Sequence, residues 1–313
     1  AERPAAGANQ YGRASQAAVD MVLAKLYLNS AVYTGTARYA EARQAAERVI
    51  ATGKFQLDDQ YQHVFLADNH TSPEIIFAVP FDGRNTRTYG GTTFLIHASV
   101  GGSMSPGDFG IDGGWWGLRA KPQLVGKFPG GDASADRRSD IFYTNGQTLN
   151  ITAVDKFNEG LTAPKFRNIT STGARGSDLG FVDTDFPMFR LADAYLMYAE
   201  AVLRGGGGSA TTALDYVNQI RRRAYGDNSG DITAAQLTLD FILDERAREL
   251  FWEAHRRSDL VRYGRFTGGT YLWAFKGSRQ APGGMASAGH LNLYPIPASD
   301  LAVNPNLTQN PGY

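Results

Sequence analysis

The stretch LTLDFILDERARELFWEAHRRSDLVRYGRF, Leu237–Phe266, constrains the fold more than any other part of the chain. Leu243, Ala247, Leu250 and Ala254 recur at steps of four, three and four, which places them on one face of an α-helix. Glu245, Glu249 and Glu253 form a second stripe on another face. Asp244 precedes Arg248, Glu253 precedes Arg256 and Arg257, and Asp259 precedes Arg262 by three or four residues. Such pairs support a helix by about 0.2–0.5 kcal/mol each. Gly264 supplies a stop. The spacing therefore predicts one amphipathic helix with its leucine stripe in a core and its charged stripe solvated, a structural element and not a ligand contact. Leu250 should be buried against other helices.

Three further runs stand in order around it. FPMFRLADAYLMYAEAVLR (Phe186–Arg204) and ALDYVNQIRRRA (Ala213–Ala224) lie upstream, and LYPIPASDLAVNPNLTQNPGY (Leu293–Tyr313) closes the chain. Together the R-x-A-D-x-x-L-M-Y-A-E-A, N-x-I-R-x-R-A, E-R-x-x-E-L…R-x-x-D-L-x-R and P-I-P…N-P-x-x-x-Q-N-P-G-Y patterns resemble the C-terminal half of the SusD/RagB family. The resemblance implies an all-α, tetratricopeptide-like superhelical scaffold with long irregular excursions. It also implies a cell-surface glycan-capture protein that hands oligosaccharide to a SusC-like TonB-dependent outer-membrane transporter. Family members are lipoproteins anchored by an N-terminal cysteine. That residue and the family's N-terminal part are expected outside this segment, so outer-membrane anchoring comes from the resemblance alone.

Composition narrows the alternatives. Lysine plus arginine total 31 and aspartate plus glutamate total 31, leaving no basic footprint for nucleic acid. With 0 cysteines there are no disulfides, thiol nucleophiles or thiolate metal sites. No apolar run approaches the roughly 18 residues of a membrane span, and no signal peptide opens the sequence. Aromatics are abundant, with 17 Phe, 15 Tyr and 4 Trp, and 36 glycines point to long irregular segments.

In chain order, Ala1–Gln10 reads as a frayed start. Ser15 is a candidate N-cap for a helix with Val19, Val22, Leu23 and Leu26 on one face. After a turn at Thr34–Thr36, Tyr39, Ala42, Ala46, Val49 and Ile50 predict a second helix closed by Gly53. The plan recurs as Leu191–Leu203, a glycine turn at Gly205–Gly208, and Thr211–Ala224. Such pairs bury both faces only by stacking, as tetratricopeptide units do. EIIFAVPF (Glu74–Phe81) reads as a short strand. One domain, 1–313, is expected, with excursions at 82–182 and 267–292. In the first, Leu118–Phe128 predicts one short helix after Pro122. Loops this long are usually functional.

No constellation for catalysis is present. His63, His70, His97, His255 and His290 lack metal-ligand spacing, and His255 is read as a structural hydrogen-bonding partner. There is no G-x-S-x-G, P-loop or G-x-G-x-x-G; Gly205–Gly208 is a turn. Asp108 and Asp112 lack the full calcium-loop spacing. No cofactor and no metal are expected. What the excursions offer is aromatics in polar, glycine-rich context: Tyr89, Trp115, Trp116, Tyr143, Tyr271 and Trp273. Flat rings cover the apolar face of a sugar, while charged and amide groups satisfy its hydroxyls. The candidate ligand-binding residues are Tyr89 with Arg87, Trp115 with Asp112, Trp273 with Lys276, and Trp116. G-W-x-G-L followed by Pro and L-V-x-x-F is itself recurrent in the family, which implies packing for Trp116. In starch-binding members, the resemblance further implies, an aromatic arc is shared between this excursion and the N-terminal part.

The reading is a non-enzymatic glycan-binding protein of the cell surface. A same-family role in capturing peptide or another nutrient shares the helical patterns and differs only in the loops. An α-helical glycoside hydrolase would need two carboxylates about 5–10 Å apart across a cleft, whereas these glutamates lie on one helix beside arginines.

Overall fold

The computed structural model describes residues 10–313, so the frayed-start reading of residues 1–9 lies outside the described residues. Two compact units divide the chain, Ala1–His255 and Arg256–Tyr313.

In the first unit the Ser15 side chain accepts from the Ala18 N–H and starts α1, Gln16–Leu28. A short α2, Ser30–Thr34, ends at Gly35 in the left-handed region, and α3 follows at Tyr39–Ile50. Met21, Ala24 and Leu28 of α1 share a core with Ala42, Ala45, Ala46 and Val49 of α3. The alanines let the two backbones approach closely. Strand β1, Ile75–Val79, comes next, then α4, Gly91–Ala98, and the short α5, Pro122–Val125. Strand β2, Phe186–Arg190, pairs antiparallel with β1, Ile75 facing Arg190 and Val79 facing Phe186. It runs directly into α6, Leu191–Leu203.

Helix α6 is the centre of the helical core. Every residue from Leu191 to Ala201 is buried, and the two acids among them are ion-paired, Asp193 with Lys25 and Arg246 and Glu200 with Arg204. It packs on α1 and α3, on α7 (Ala210–Tyr225) and on α8 (Leu239–Leu250). The glycine turn before α7 is sterically specified: a Cβ on Gly206 would lie 2.5 Å from the Tyr39 carbonyl oxygen and 2.7 Å from that of Ala201. The α1–α3 and α6–α7 pairs thus stack through α3 and α6, the tetratricopeptide-like arrangement expected from the alanine-rich faces. Among the described residues no helix is long and apolar enough to cross a membrane.

Two expectations for Leu237–Phe266 need correction. Leu243, Ala247 and Leu250 are buried as expected, but the helix stops at Leu250, and Trp252 and Ala254 take φ values of 61° and 63°. Ala254 is exposed and belongs to no apolar stripe. The reason is competition for one carbonyl. A continued helix would bond the Glu253 N–H to the Glu249 oxygen. That oxygen instead accepts from Tyr61 Oη at 2.7 Å, Arg190 Nη2 at 2.8 Å and Lys165 Nζ at 3.2 Å. The second correction is that the glutamate stripe is not solvated: Glu245, Glu249 and Glu253 are all buried.

Segment 82–182 is also more than a loop lying on helices. Ile96, Phe109, Ile111, Phe128, Phe142 and Phe166 form a second apolar core with Tyr61, Val64 and Phe65. The expected short helix after Pro122 is α5; α4 was not expected, because Thr92, Thr93, Phe94 and Ile96 are strand-favouring residues.

In the second unit α9 spans Arg256–Arg262 and stops at Gly264, φ 66°, as its glycine suggested. Asp259 pairs with Arg262 at 2.8 Å. The unit closes with α10, Ala298–Val303, and the Gln309 amide brackets Ile296, donating to its carbonyl at 3.0 Å and accepting from its N–H at 2.8 Å.

Candidate functional site

Between the two apolar cores of the first unit lies a continuous network of charged side chains. The acids are Glu74, Asp136, Glu245, Glu249 and Glu253; the bases are Arg138, Lys165, Arg190, Arg221, Arg223 and Arg248. No side chain in it is more than 8% exposed. Arg138 meets Glu245 at 2.8 Å and Glu249 at 2.7 Å, and Arg190 meets Glu74 at 2.7 Å and Glu253 at 2.6 Å. Burial alone would raise the glutamate pKa values, but the facing guanidinium groups win. Arg138, Arg248 and Arg221 pull Glu245 down to about 2, and Glu249 is held well below the usual carboxylate range. Burial pushes the Lys165 ammonium down to about 8, against the pull of Glu253. These carboxylates are locked as anions by two or more bonds each, which makes them structural groups.

The exposed candidates are organised by the end of α4. Its last carbonyls, without helical partners of their own, are taken by the tryptophan stretch. His97 O accepts from Trp115 N at 2.7 Å and Ala98 O from Gly117 N at 2.9 Å, and just past the helix Val100 O accepts from Trp116 N at 3.1 Å. Gly114 is required in this approach, since a Cβ there would sit 2.2 Å from the Val100 oxygen.

So held, Trp115 stacks on the buried His97 ring at 4.6 Å between centroids and 22° between planes. His97 Nδ1 donates to the Gly113 carbonyl at 2.7 Å, which fixes the imidazole under the indole. Tyr89 lies 6.2 Å and Phe94 6.1 Å from Trp115. Trp115 is 40% and Tyr89 70% exposed. Phe181 stands 5.0 Å behind Tyr89, and the Arg87 guanidinium covers Phe181 at 4.5 Å. Arg87 also reaches Asp178 at 3.7 Å. The Gly180 and Phe181 N–H groups donate to Asp178 and hold its carboxyl below the usual range. Asp112 is exposed and joins the same turn, its N–H donating to Leu179 O at 3.1 Å.

Tyr89, Trp115, Arg87 and Asp112 are therefore brought together, although the partners differ from the expected pairs: Arg87 and Asp112 meet the turn at Phe181, not Tyr89 or Trp115 directly. Phe94, His97 and Phe181 were missed. Phe181 carried the same signal as Tyr89, an aromatic among Gly, Ser and Asp, while Phe94 and His97 required α4 to be recognised. Trp116 does not join this group; it leans on Phe157 at 5.7 Å. Trp273 belongs to the second unit, half-buried beside Phe266 and Tyr271. Lys276 lies over its ring at 4.6 Å but is itself buried and donates to the Tyr271 carbonyl at 2.7 Å. The Lys276 ammonium is thus committed to backbone carbonyls and is not turned to solvent.

The model of the SusD family matches residues 139–313, more than half of the chain, and the chain belongs to that family. Among its relatives, it is 34% identical to the starch-binding protein SusD of Bacteroides thetaiotaomicron, over 97% of this chain and 61% of that protein. Two solved structures share the fold. A SusD superfamily protein from Parabacteroides distasonis superposes with a TM-score of 0.72 at 26% identity, covering 97% of this chain and 64% of that one. Surface glycan-binding protein A from Bacteroides thetaiotaomicron, in complex with laminarihexaose, gives 0.73 at 21% identity, covering 98% and 66%. The chain thus spans about three fifths of its curated relative.

Proposed function

We propose that this chain captures a glucan at the cell surface without cleaving it, and passes it to a SusC-like TonB-dependent transporter of the outer membrane. The observation that carries the binding reading is the Tyr89–Trp115 pair: two exposed rings 6.2 Å apart, one braced on a buried histidine, with Arg87 and Asp112 at the adjoining turn. A pyranose offers an apolar face to such rings and a rim of hydroxyls to the charged groups. A relative named for starch binding and a fold neighbour solved with laminarihexaose support a glucan over other polymers. Anchoring through a lipidated N-terminal cysteine, and the transporter as partner, rest on family membership.

A hydrolytic role is disfavoured because Glu245, Glu249 and Glu253 are buried and each is bonded to bases. A general acid must instead carry a proton near neutral pH. Titration calorimetry with maltoheptaose and with laminarihexaose tests the reading. Binding of at least one, without release of reducing ends, is expected. Absence of heat with both, or steady product formation abolished by one Asp or Glu substitution, would overturn it.

A further inference from the structure

Asn145 and Gly146 form the one Asn-Gly pair in the sequence, and asparagine is among the thermolabile residues. An asparagine followed by glycine cyclises on its own backbone most readily, because no Cβ screens the next peptide nitrogen from the side-chain amide carbon. The pair occupies the two central positions of a β-turn, closed by the Gln147 N–H donating to the Thr144 carbonyl at 3.1 Å. Gly146 has φ 74° and Asn145 is not left-handed, which is the type II pattern. Thr144, Asn145 and Gly146 are all exposed, so water and hydroxide reach the turn.

The flanks of this turn are fixed independently of it. The Tyr143 N–H donates to Thr162 O at 2.9 Å, and the Thr148 N–H to Asn158 O at 2.8 Å. Within the turn, two hydroxyls hold the groups that would react. Ser103 Oγ donates to the Asn145 carbonyl at 2.9 Å. Tyr143 Oη lies 3.0 Å from Ser103 Oγ and 3.4 Å from the Asn145 side-chain nitrogen. In a type II turn the carbonyl oxygen of the first central residue, not the following nitrogen, lies toward that residue's side chain. Ring closure at Asn145 therefore needs rotation about its Cα–C bond, which swings the oxygen off Ser103. The Ser103 bond is present in the resting turn and absent in the reactive one, so it slows the reaction.

We propose that Asn145 is a site of spontaneous deamidation and that the Ser103 hydroxyl sets its rate. Hydroxide removes the Gly146 N–H proton, and the nitrogen attacks Asn145 Cγ to form a C–N bond. The side-chain nitrogen leaves as ammonia, taking a proton from water. Water then opens the cyclic imide at one of its two carbonyls, leaving aspartate or isoaspartate at position 145. Ammonia is exchanged for water and nothing is oxidised or reduced. Either product carries a carboxylate where a neutral amide stood. Isoaspartate also lengthens the main chain by one carbon, which breaks the Thr144–Gln147 closure. The reaction needs no ligand, so it is independent of the glycan-binding reading.

The test incubates the folded wild type, Ser103→Ala, Ser103→Thr and Asn145→Gln at neutral and at mildly alkaline pH. Peptide mapping by mass spectrometry, with isoaspartyl methyltransferase labelling, then reads the products. The peptide carrying Asn145 should exchange ammonia for water, faster at the higher pH. Ser103→Ala should convert about two- to tenfold faster than wild type, the rate equivalent of one hydrogen bond, at an unchanged melting temperature. Ser103→Thr, which keeps the hydroxyl, should hold the wild-type rate, and Asn145→Gln should show no conversion at this position. Conversion of Ser103→Ala at the wild-type rate or slower would overturn the control by Ser103. Conversion at Asn228, which precedes Ser229, or at any other asparagine before Asn145 would overturn the site.

Discussion

Helix α8 and the segment around Trp115 treat charge and aromaticity in opposite ways. On α8 and the turn after it, three glutamates are buried among arginines and a lysine from four other segments. From Tyr89 to Trp116, large rings stand at the surface although the chain has two apolar cores that could take them. Burying charges is costly unless each is paired, and exposing several rings together forgoes hydrophobic burial. The ion network therefore reads as a device that fixes how the helical core and the phenylalanine core meet. The rings read as surface kept available for a ligand. Stability should reside in the first region and binding in the second, and substitutions can separate them.

The largest effect is expected in the network. Arg190→Ala removes the one base that meets Glu74, Glu249 and Glu253 together, and breaking a buried pair from one side costs about 3–5 kcal/mol. Denaturant unfolding measures it; a change below about 1 kcal/mol would mean the cluster tolerates solvent. Leu250→Ala, in the helical core, should cost about 2–5 kcal/mol by the same measurement. An unchanged midpoint would contradict its burial against the repeat pairs.

Acid should act on the same region. Glu245, Glu249 and Glu253 have folded-state pKa values below their unfolded ones. The unfolded chain therefore binds more protons as pH falls. The stability they contribute is complete above the unfolded value of about 4.3 and is lost as pH drops toward the folded value of about 2 for Glu245. Unfolding midpoints at pH 6, 4 and 3, taken as approximate stations across that window, should fall mainly over the lower pair. A flat profile would mean that these anions are not held by their arginines.

The helical core was legible because its signals are local. Ser15, the alanines of α3, Leu191–Leu203 and the glycine turn before α7 each act within a few residues of themselves. The fate of Glu249 was not legible, because the spacing of a charged stripe is the same whether its partners are solvent or Arg138, Arg190 and Arg223, which lie far off in sequence. For the same reason the helix end at Leu250 was missed: it is set by Tyr61, Lys165 and Arg190 claiming one carbonyl. At the surface site, residue type in glycine-rich context pointed to Tyr89 and Trp115. Which rings share a platform depends on α4, hidden by its strand-favouring residues, and so Phe94 and His97 escaped notice while Trp116 was grouped with Trp115.

The smallest effect on stability should accompany a large one on binding. Tyr89→Ala removes a ring that is mostly in solvent, so stability should shift by about 0.5 kcal/mol or less. Binding of the better of maltoheptaose and laminarihexaose should weaken by about 1–2 kcal/mol, within the range for stacking on open aromatic platforms.

Trp115→Ala, followed by calorimetric titration and thermal unfolding on the same sample, tests the division between the two regions most directly. Loss of glucan binding of about 1–2 kcal/mol or more with an unchanged melting temperature is the expected result. A melting temperature that falls together with the affinity would show that Trp115 is a packing residue over His97, and would contradict the placement of the binding surface.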